Sequence, residues 1–254
     1  MQKTILFIHG MFQNPKSWKK WEEFFTSKGF NCIAPAWPCH EGEPSTLRLN
    51  PPEELGDLRL ATVVAKMEGI IEGLAEKPIV IGHSVGGLIV QLLANKNLIS
   101  LGVPISSVAP NAMLSADWNF FKNSITIANP FKGDEPFYMT PEGFYDAFCN
   151  TLSKTEALVA FNETATHDSR NVLRDCMMEP GHIDLDIPHV PLLFIAGDQD
   201  HIIPHELVEK NSKAYTDAQS TALYKEYKDR SHYICGEPGA DEIMEYVYNW
   251  ISSQ

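Results

Sequence analysis

The stretch from Pro78 to Ala94 constrains the fold more tightly than any other part of the chain. Pro78–Ile81 is a short, continuous apolar run, the pattern of a strand buried on both faces. It breaks into Gly82-His83-Ser84-Val85-Gly86-Gly87, and Leu88–Ala94 then reads as a helix. A strand that passes directly into a helix leaves little room beside the turn, so the residues flanking Ser84 must be small. A strand with both faces buried belongs in a parallel sheet covered by helices on either side.

The flanking sequence repeats that alternation. Thr4–Ile8 reads as a strand ending at His9-Gly10, and Asn14-Pro15 opens a helix with Asn as N-cap and Pro at the first helical position. Trp18, Trp21 and Phe25 recur at helical spacing, Gly29 closes the helix, and Phe30–Ala34 reads as a second strand. Further strands are expected at Val103–Ala109, Pro191–Ala196 and Thr221–Tyr227, and helices at Asp57–Leu74, Glu206–Tyr215 and Asp241–Ile251. The Pro-rich, polar stretch Trp37–Leu55 shows no periodicity and is expected to be a surface loop. The pattern predicts an α/β domain around a mainly parallel sheet with helices on both faces.

The alternation stops between about residues 110 and 188, a gap longer than an ordinary strand–helix connection. Thr140-Pro141-Glu142 marks a helix start there, Ser153-x-x-Glu156 is a capping box, and Asp168 is placed to cap a third helix. The segment is rich in aromatic residues, most of which are expected to form its own core. The expected organisation is a core domain of residues 1–109 and 189–254, interrupted by a helical lid at 110–188.

Composition narrows the function. With 254 residues, 44% of them hydrophobic, the chain can bury a substantial core. A net charge of -13 argues against nucleic-acid or anionic-membrane partners, which need clustered Lys and Arg. No apolar run approaches the ~20 residues of a membrane span. The N-terminus reads as a strand and not as a signal peptide, so the expected compartment is the cytoplasm. The five cysteines are scattered with no CxxC pair, which fits reduced thiols. Neither His201/His205 nor the His182–His189 stretch has a zinc spacing, and neither GxGxxG nor a P-loop is present, so no metal and no cofactor are expected. A monomer or homodimer is expected.

Ser84, at a strand-to-helix pivot, would project its hydroxyl above the strand ends, with a helix N-terminus behind it and the Val85 amide aimed where an oxyanion could form. A serine hydroxyl is a weak nucleophile without a base, and the base needs an orienting group. The strand at Pro191–Ala196 runs into Gly197-Asp198-Gln199-Asp200, offering two carboxylates at the same strand-end face. The last strand runs into Ser231-His232, which offers a base there. His9 and His83 read as structural members of their motifs, and His40 and His167 as solvated loop positions.

Together, His9-Gly10-Met11, Gly82-His83-Ser84-Val85-Gly86-Gly87, Gly197-Asp198-Gln199-Asp200 with Pro204, and Ser231-His232 resemble the α/β-hydrolase superfamily, in particular its small lidded serine esterase/lactonase-like branch. The match covers nearly the whole chain outside the lid, although two leading strands of longer relatives have no counterpart. The resemblance implies an α/β-hydrolase fold with catalytic Ser84, His232 and Asp200, the last being preferred over Asp198. It also implies an oxyanion hole from the amides of Met11 and Val85, with Phe12 as the alternative to Met11. Phe12, His83, Trp118 and Phe144 are candidate substrate contacts. The implied activity is cofactor-free cleavage of a carboxylic ester or lactone of a neutral, fairly hydrophobic small molecule through an acyl-enzyme. The same fold hosts lyases, cofactor-independent oxygenases and receptors, so a non-hydrolytic enzyme or a ligand-binding receptor remains open at this point. Tyr233 stands where plant lyases of similar size carry a lysine, and a dehalogenase would need a carboxylate in place of Ser84.

Overall fold

The computed structural model describes residues 2–113 and 118–254, with the backbone alone for residues 118–121. Strand β1 (Thr4–Ile8) leads through a short 3-10 turn at Pro15–Trp18 into α1 (Lys19–Ser27) and then β2 (Asn31–Ile33). Asn14 caps that turn by accepting the Lys16 amide. Helices α2 (Pro44–Leu49) and α3 (Leu60–Glu72) precede β3 (Ile79–His83), α4 (Val85–Asn95) and β4 (Leu101–Ile105). Four helices follow: α5 (Trp118–Ala128), α6 (Pro141–Ala147), α7 (Lys154–Thr164) and α8 (Arg170–Cys176). The chain ends with β5 (Leu192–Gly197), α9 (His205–Lys213), β6 (Ala222–Tyr227) and α10 (Ala240–Ser252).

Among the described residues the sheet runs β2-β1-β3-β4-β5-β6, and every neighbouring pair is parallel. Side chains alternate across it. Ile5 and Phe7 enter a cluster with Trp18, Trp21 and Phe25 of the α1 region and Val247 of α10, while Leu6 and Ile8 enter the opposite cluster with Val64, Leu88 and Ile89 of α3 and α4. Burial on both faces is the reason these strands read as unbroken apolar runs.

The strand order reverses between β1 and β3: the chain leaves β1 for β2 on one side and leaves β3 for β4 on the other. The loops after these two strands therefore diverge and open a crevice at their C-terminal ends. At that crevice Ile8, the last residue of β1, pairs with Gly82, one residue before the end of β3, so the segments beginning at His9 and Ser84 start at nearly the same level.

The structure corrects three expectations. The stretch Trp37–Leu55 is not simply a surface loop: it carries α2, and Trp37 and His40 within it are fully buried. Asp168 does not cap a helix; Ser169 caps α8 by accepting the Asn171 amide. The aromatic residues between β4 and β5 do not form a separate core, because Phe144, Phe148 and Phe161 belong to the cluster that contains Leu6, Ile8 and Val80. Thr140 does cap α6, and the Ser153/Glu156 capping box opens α7. No helix among the described residues is long and apolar enough to cross a membrane.

Candidate active site

Ser84 sits at the sharp junction of β3 and α4 with φ 57° and ψ -119°, a left-handed conformation that is costly for any residue with a Cβ. The surroundings hold it there. Its amide donates to the Ile105 carbonyl at 3.0 Å, and its own carbonyl accepts the amides of Gly87 at 2.9 Å and Val108 at 3.1 Å. The residues two positions before and after Ser84 must be glycine for steric reasons. A Cβ on Gly82 would lie 2.2 Å from the Gly86 oxygen, and one on Gly86 would lie 2.2 Å from the Ile8 oxygen.

The loop after β6 brings in His232, which is fully buried. Its Nδ1 lies 2.7 Å from Asp200 Oδ2. The carboxylate can only accept, so Nδ1 carries the proton and Nε2 presents a lone pair. That Nε2 is buried and has no hydrogen-bond partner among the described residues. Asp200 is itself held, its Oδ1 accepting the amides of Ile202 and Ile203, each at 2.8 Å. Asp198 faces elsewhere: it accepts the Asp229 amide at 2.7 Å and pairs with Lys228. The two carboxylates at this strand end thus have different partners, and Asp200, the one the resemblance favoured, is the one on the imidazole.

Ser84 and His232 line one cavity of about 940 Å³. Met11, Phe12 and Val85 form part of its wall, and Met113, Ile125, Leu173 and Met177 extend it as an apolar chamber under the helices between β4 and β5. The Phe12 amide is occupied, donating to Asp168 Oδ2 at 2.9 Å. The amides of Met11 and Val85 meet no acceptor among the described residues.

The candidate substrate contacts divide. Phe12 is in the cavity wall. His83 lies behind it: Nε2–H donates to the His232 carbonyl at 2.7 Å, and the two rings are 4.6 Å apart. Burial, and then the neighbouring His232, push the His83 imidazole down to about 3, so it is neutral and acts as a prop under the His232 loop. Phe144 is also behind the wall, fully buried and stacked on Phe148 at 4.9 Å; it is Phe148 that faces the cavity and meets the His232 ring edge-on. The side chain of Trp118 lies outside the described residues.

Several supporting contacts were not legible in the sequence, although His9 was read there as a structural member of its motif. Glu237, nearly fully buried, accepts the Ser231 amide at 3.0 Å and the hydroxyls of Ser231 and Thr151, bracing the loop that carries His232. His40 is not solvated but buried against Asp168. His9 stacks on Trp37, donates from Nδ1 to the Gly10 carbonyl at 2.9 Å and accepts the Trp37 amide at Nε2. Burial, followed by nearby His40, holds its imidazole well below the ordinary value. The contacts of Thr151 with Glu237, His40 with Asp168 and His9 with Trp37 join segments far apart in the chain, so no local spacing announces them. Among the described residues no group of three or more His, Cys, Asp or Glu side chains is placed to hold a metal ion.

The arrangement spans the β1, β3, β5 and β6 loops, and the family follows from the whole chain: residues 5–241 match the model of the Alpha/beta hydrolase family. The protein belongs to that family. No curated protein sequence is significantly similar to it. Among solved structures, it is similar to the monoacylglycerol lipase of Paleococcus ferrophilus, with a TM-score of 0.73 at 21% identity over 98% of this chain and 94% of that one. It is similar to the methylesterase MES16 of Arabidopsis, with a TM-score of 0.72 at 14% identity over 99% of this chain and 100% of that one. Tomato Methylketone Synthase I, solved with 2-tridecanone, has a TM-score of 0.72 at 15% identity over 100% of this chain and 99% of that one. The three carry different activities in their names, so what this α/β-hydrolase family member shares with them is the fold.

Proposed function

We propose that the protein is a cofactor-free serine hydrolase that cleaves a carboxylic ester of a neutral, largely hydrophobic small molecule. The observation that carries this reading is the buried Nε2 of an Asp200-oriented His232, without a hydrogen-bond partner among the described residues, in the same cavity as a serine held on a left-handed pivot.

In this reading Ser84 Oγ attacks the ester carbonyl carbon while its proton passes to His232 Nε2. Asp200 holds the ring and stabilises the imidazolium. The negative charge moves to the carbonyl oxygen, where the amides of Met11 and Val85 receive it, with the α4 N-terminus behind them. Collapse of the intermediate breaks the bond to the alcohol oxygen, which takes the proton from Nε2. A water then loses a proton to Nε2, attacks the acyl carbon and releases the carboxylic acid, restoring Ser84. A lactone would be opened by the same steps, with acid and alcohol remaining in one product.

The substrate class follows from the walls. A chamber of about 940 Å³ lined by Met113, Ile125, Leu173 and Met177 suits an apolar acyl group, and a net charge of -13 disfavours anionic substrates. The helices between β4 and β5 serve as a lid over that chamber.

Hydrolysis of p-nitrophenyl esters from acetyl to decanoyl, together with a set of lactones, tests the proposal against Ser84→Ala. The wild type should turn over, and the variant should lose about 10⁴-fold or more in kcat. A fluorophosphonate should label Ser84. Near-native turnover by Ser84→Ala would refute the mechanism. A wild type that neither turns over nor labels, yet binds an apolar ligand tightly, would point to a receptor.

A further inference from the structure

His40 and Asp168 are each fully buried and stand 128 residues apart in sequence. His40 comes from the segment before α2 and Asp168 from the residues before α8. His40 Nδ1 lies 3.0 Å from the Pro38 carbonyl and Nε2 lies 3.2 Å from Asp168 Oδ2. Both oxygens can only accept, so filling both contacts takes a proton on each nitrogen, which makes the ring an imidazolium. Burial, the largest single influence, lowers the His40 pKa, but the charge and hydrogen bond of Asp168, the Pro38 carbonyl and Glu41 together outweigh it and raise the pKa above the ordinary value.

The same carboxylate grips the loop after β1. Asp168 Oδ2 accepts the Phe12 amide at 2.9 Å, and Oδ1 accepts the Ser169 amide at 2.7 Å. Phe12 has φ 63°, a left-handed conformation that a bulky residue leaves unless it is held. It is held from its other side too, because its carbonyl accepts the Thr166 amide at 3.0 Å. Asp168 is anchored in turn, exchanging both backbone hydrogen bonds with Phe137, at 2.8 and 3.1 Å. The residue next to Met11 is thus clamped at both its amide and its carbonyl by residues 166–168.

We propose that the buried His40–Asp168 pair is the positioning device of the oxyanion loop: the carboxylate fixes Phe12 and so aims the Met11 amide at the carbonyl attacked by Ser84. His40 supplies the second half of the device. A lone carboxylate behind this loop would oppose the negative charge that develops on the substrate oxygen, and the imidazolium cancels it. The pair does not line the cavity, so neither residue is a substrate contact. The inference rests on Ser84 being the nucleophile of an ester hydrolase.

The test compares wild type with Asp168→Ala, Asp168→Asn, His40→Ala and His40→Gln on a p-nitrophenyl ester. It also measures affinity for an alkylboronic acid, whose tetrahedral serine adduct places an oxygen in the oxyanion hole. A displacement of about 1 Å at a reacting centre costs about 10²-fold, so Asp168→Ala and His40→Ala should lose roughly that factor in kcat while KM stays within about threefold. Boronate affinity should fall in step with kcat, because both depend on the same donors. His40→Gln can still donate to the carboxylate and should recover at least about tenfold of the loss in His40→Ala. A purely structural role would instead lower the folded fraction and leave kcat per fluorophosphonate-titrated site unchanged, which would overturn the proposal. If Asp168→Ala does not fold, the near-isosteric Asp168→Asn carries the test, and kcat and boronate affinity within about twofold of wild type would overturn it. Wild-type labelling and turnover report separately on the hydrolase reading: their absence removes that reading and the clamp together, whereas their presence with unaffected variants removes the clamp alone.

Discussion

Gly86→Ala probes the closest backbone approach in the site. A Cβ there would lie 2.2 Å from the Ile8 oxygen, 2.6 Å from the His9 oxygen and 2.9 Å from the Ile8 carbonyl carbon. Ordinary contact begins near 3.4 Å, so α4 would have to move about 1 Å away from β1. Neither side yields cheaply, because β1 is paired on both edges and α4 is buried along its length. Overpacking of this kind costs about 1–3 kcal/mol, which for a domain of this size lowers the melting temperature by about 3–10 °C. The larger effect should be on activity. Ser84 lies two residues before Gly86 and moves with the α4 N-terminus, away from His232 and the Met11 amide. A shift of about 1 Å there should lower kcat about 100-fold. Thermal unfolding and kcat per titrated site measure the two effects separately. A melting temperature within about 2 °C of wild type together with kcat within about twofold would refute the close approach of β1 and α4 as the reason for glycine.

Two further predictions concern charge. Asp200→Asn keeps the size of the side chain but can donate to Nδ1 of His232 and so favours the wrong tautomer; kcat on the best ester should fall about 10⁴-fold with KM little changed, and a loss below tenfold would show that Asp200 does not orient the base. Stability should be lost on both sides of neutrality. His83 is neutral in the folded protein down to about pH 3, whereas the unfolded chain takes up its proton near pH 6.5, so stability falls as pH drops through that window. His40 has the opposite sign. Its pKa is raised by Asp168, with Glu41 adding to the effect and the His9 ring 5.5 Å away, so its contribution is complete below about pH 6.5 and is lost as pH rises through the raised folded value. Melting temperatures from pH 4 to 9 should show both limbs. His83→Gln should flatten the acid limb and His40→Gln the alkaline one; limbs unchanged in these variants would assign the pH dependence to other groups.

The sequence determined whatever depends on periodicity and local sterics. Continuous apolar runs such as Pro78–Ile81 and Pro191–Ala196 announced strands buried on both faces, and their alternation with helical segments announced a parallel sheet. The glycines around Ser84 announced a sharp strand-to-helix turn, because nothing larger fits there. Strand ends also allowed Asp198 or Asp200, and His232, to be nominated, since parallel strands deliver their C-terminal loops to one edge. Local capping chemistry placed Asn14, Thr140 and the Ser153/Glu156 pair correctly, because each bond spans three residues or fewer. Asp168 looked like one more such cap. What it does instead depends on Phe12 and His40, which reach it only after the sheet and the helices between β4 and β5 have assembled. The choice of Asp200 over Asp198, the burial of His40, the bracing of His232 by His83 and Glu237, and the position of Phe144 behind Phe148 were likewise decided by tertiary packing. Bonds such as His83–His232, Phe12–Asp168 and His40–Asp168, which close over more than 100 residues, have no period for a sequence to display, and packing decides which of several equivalent side chains makes a given contact.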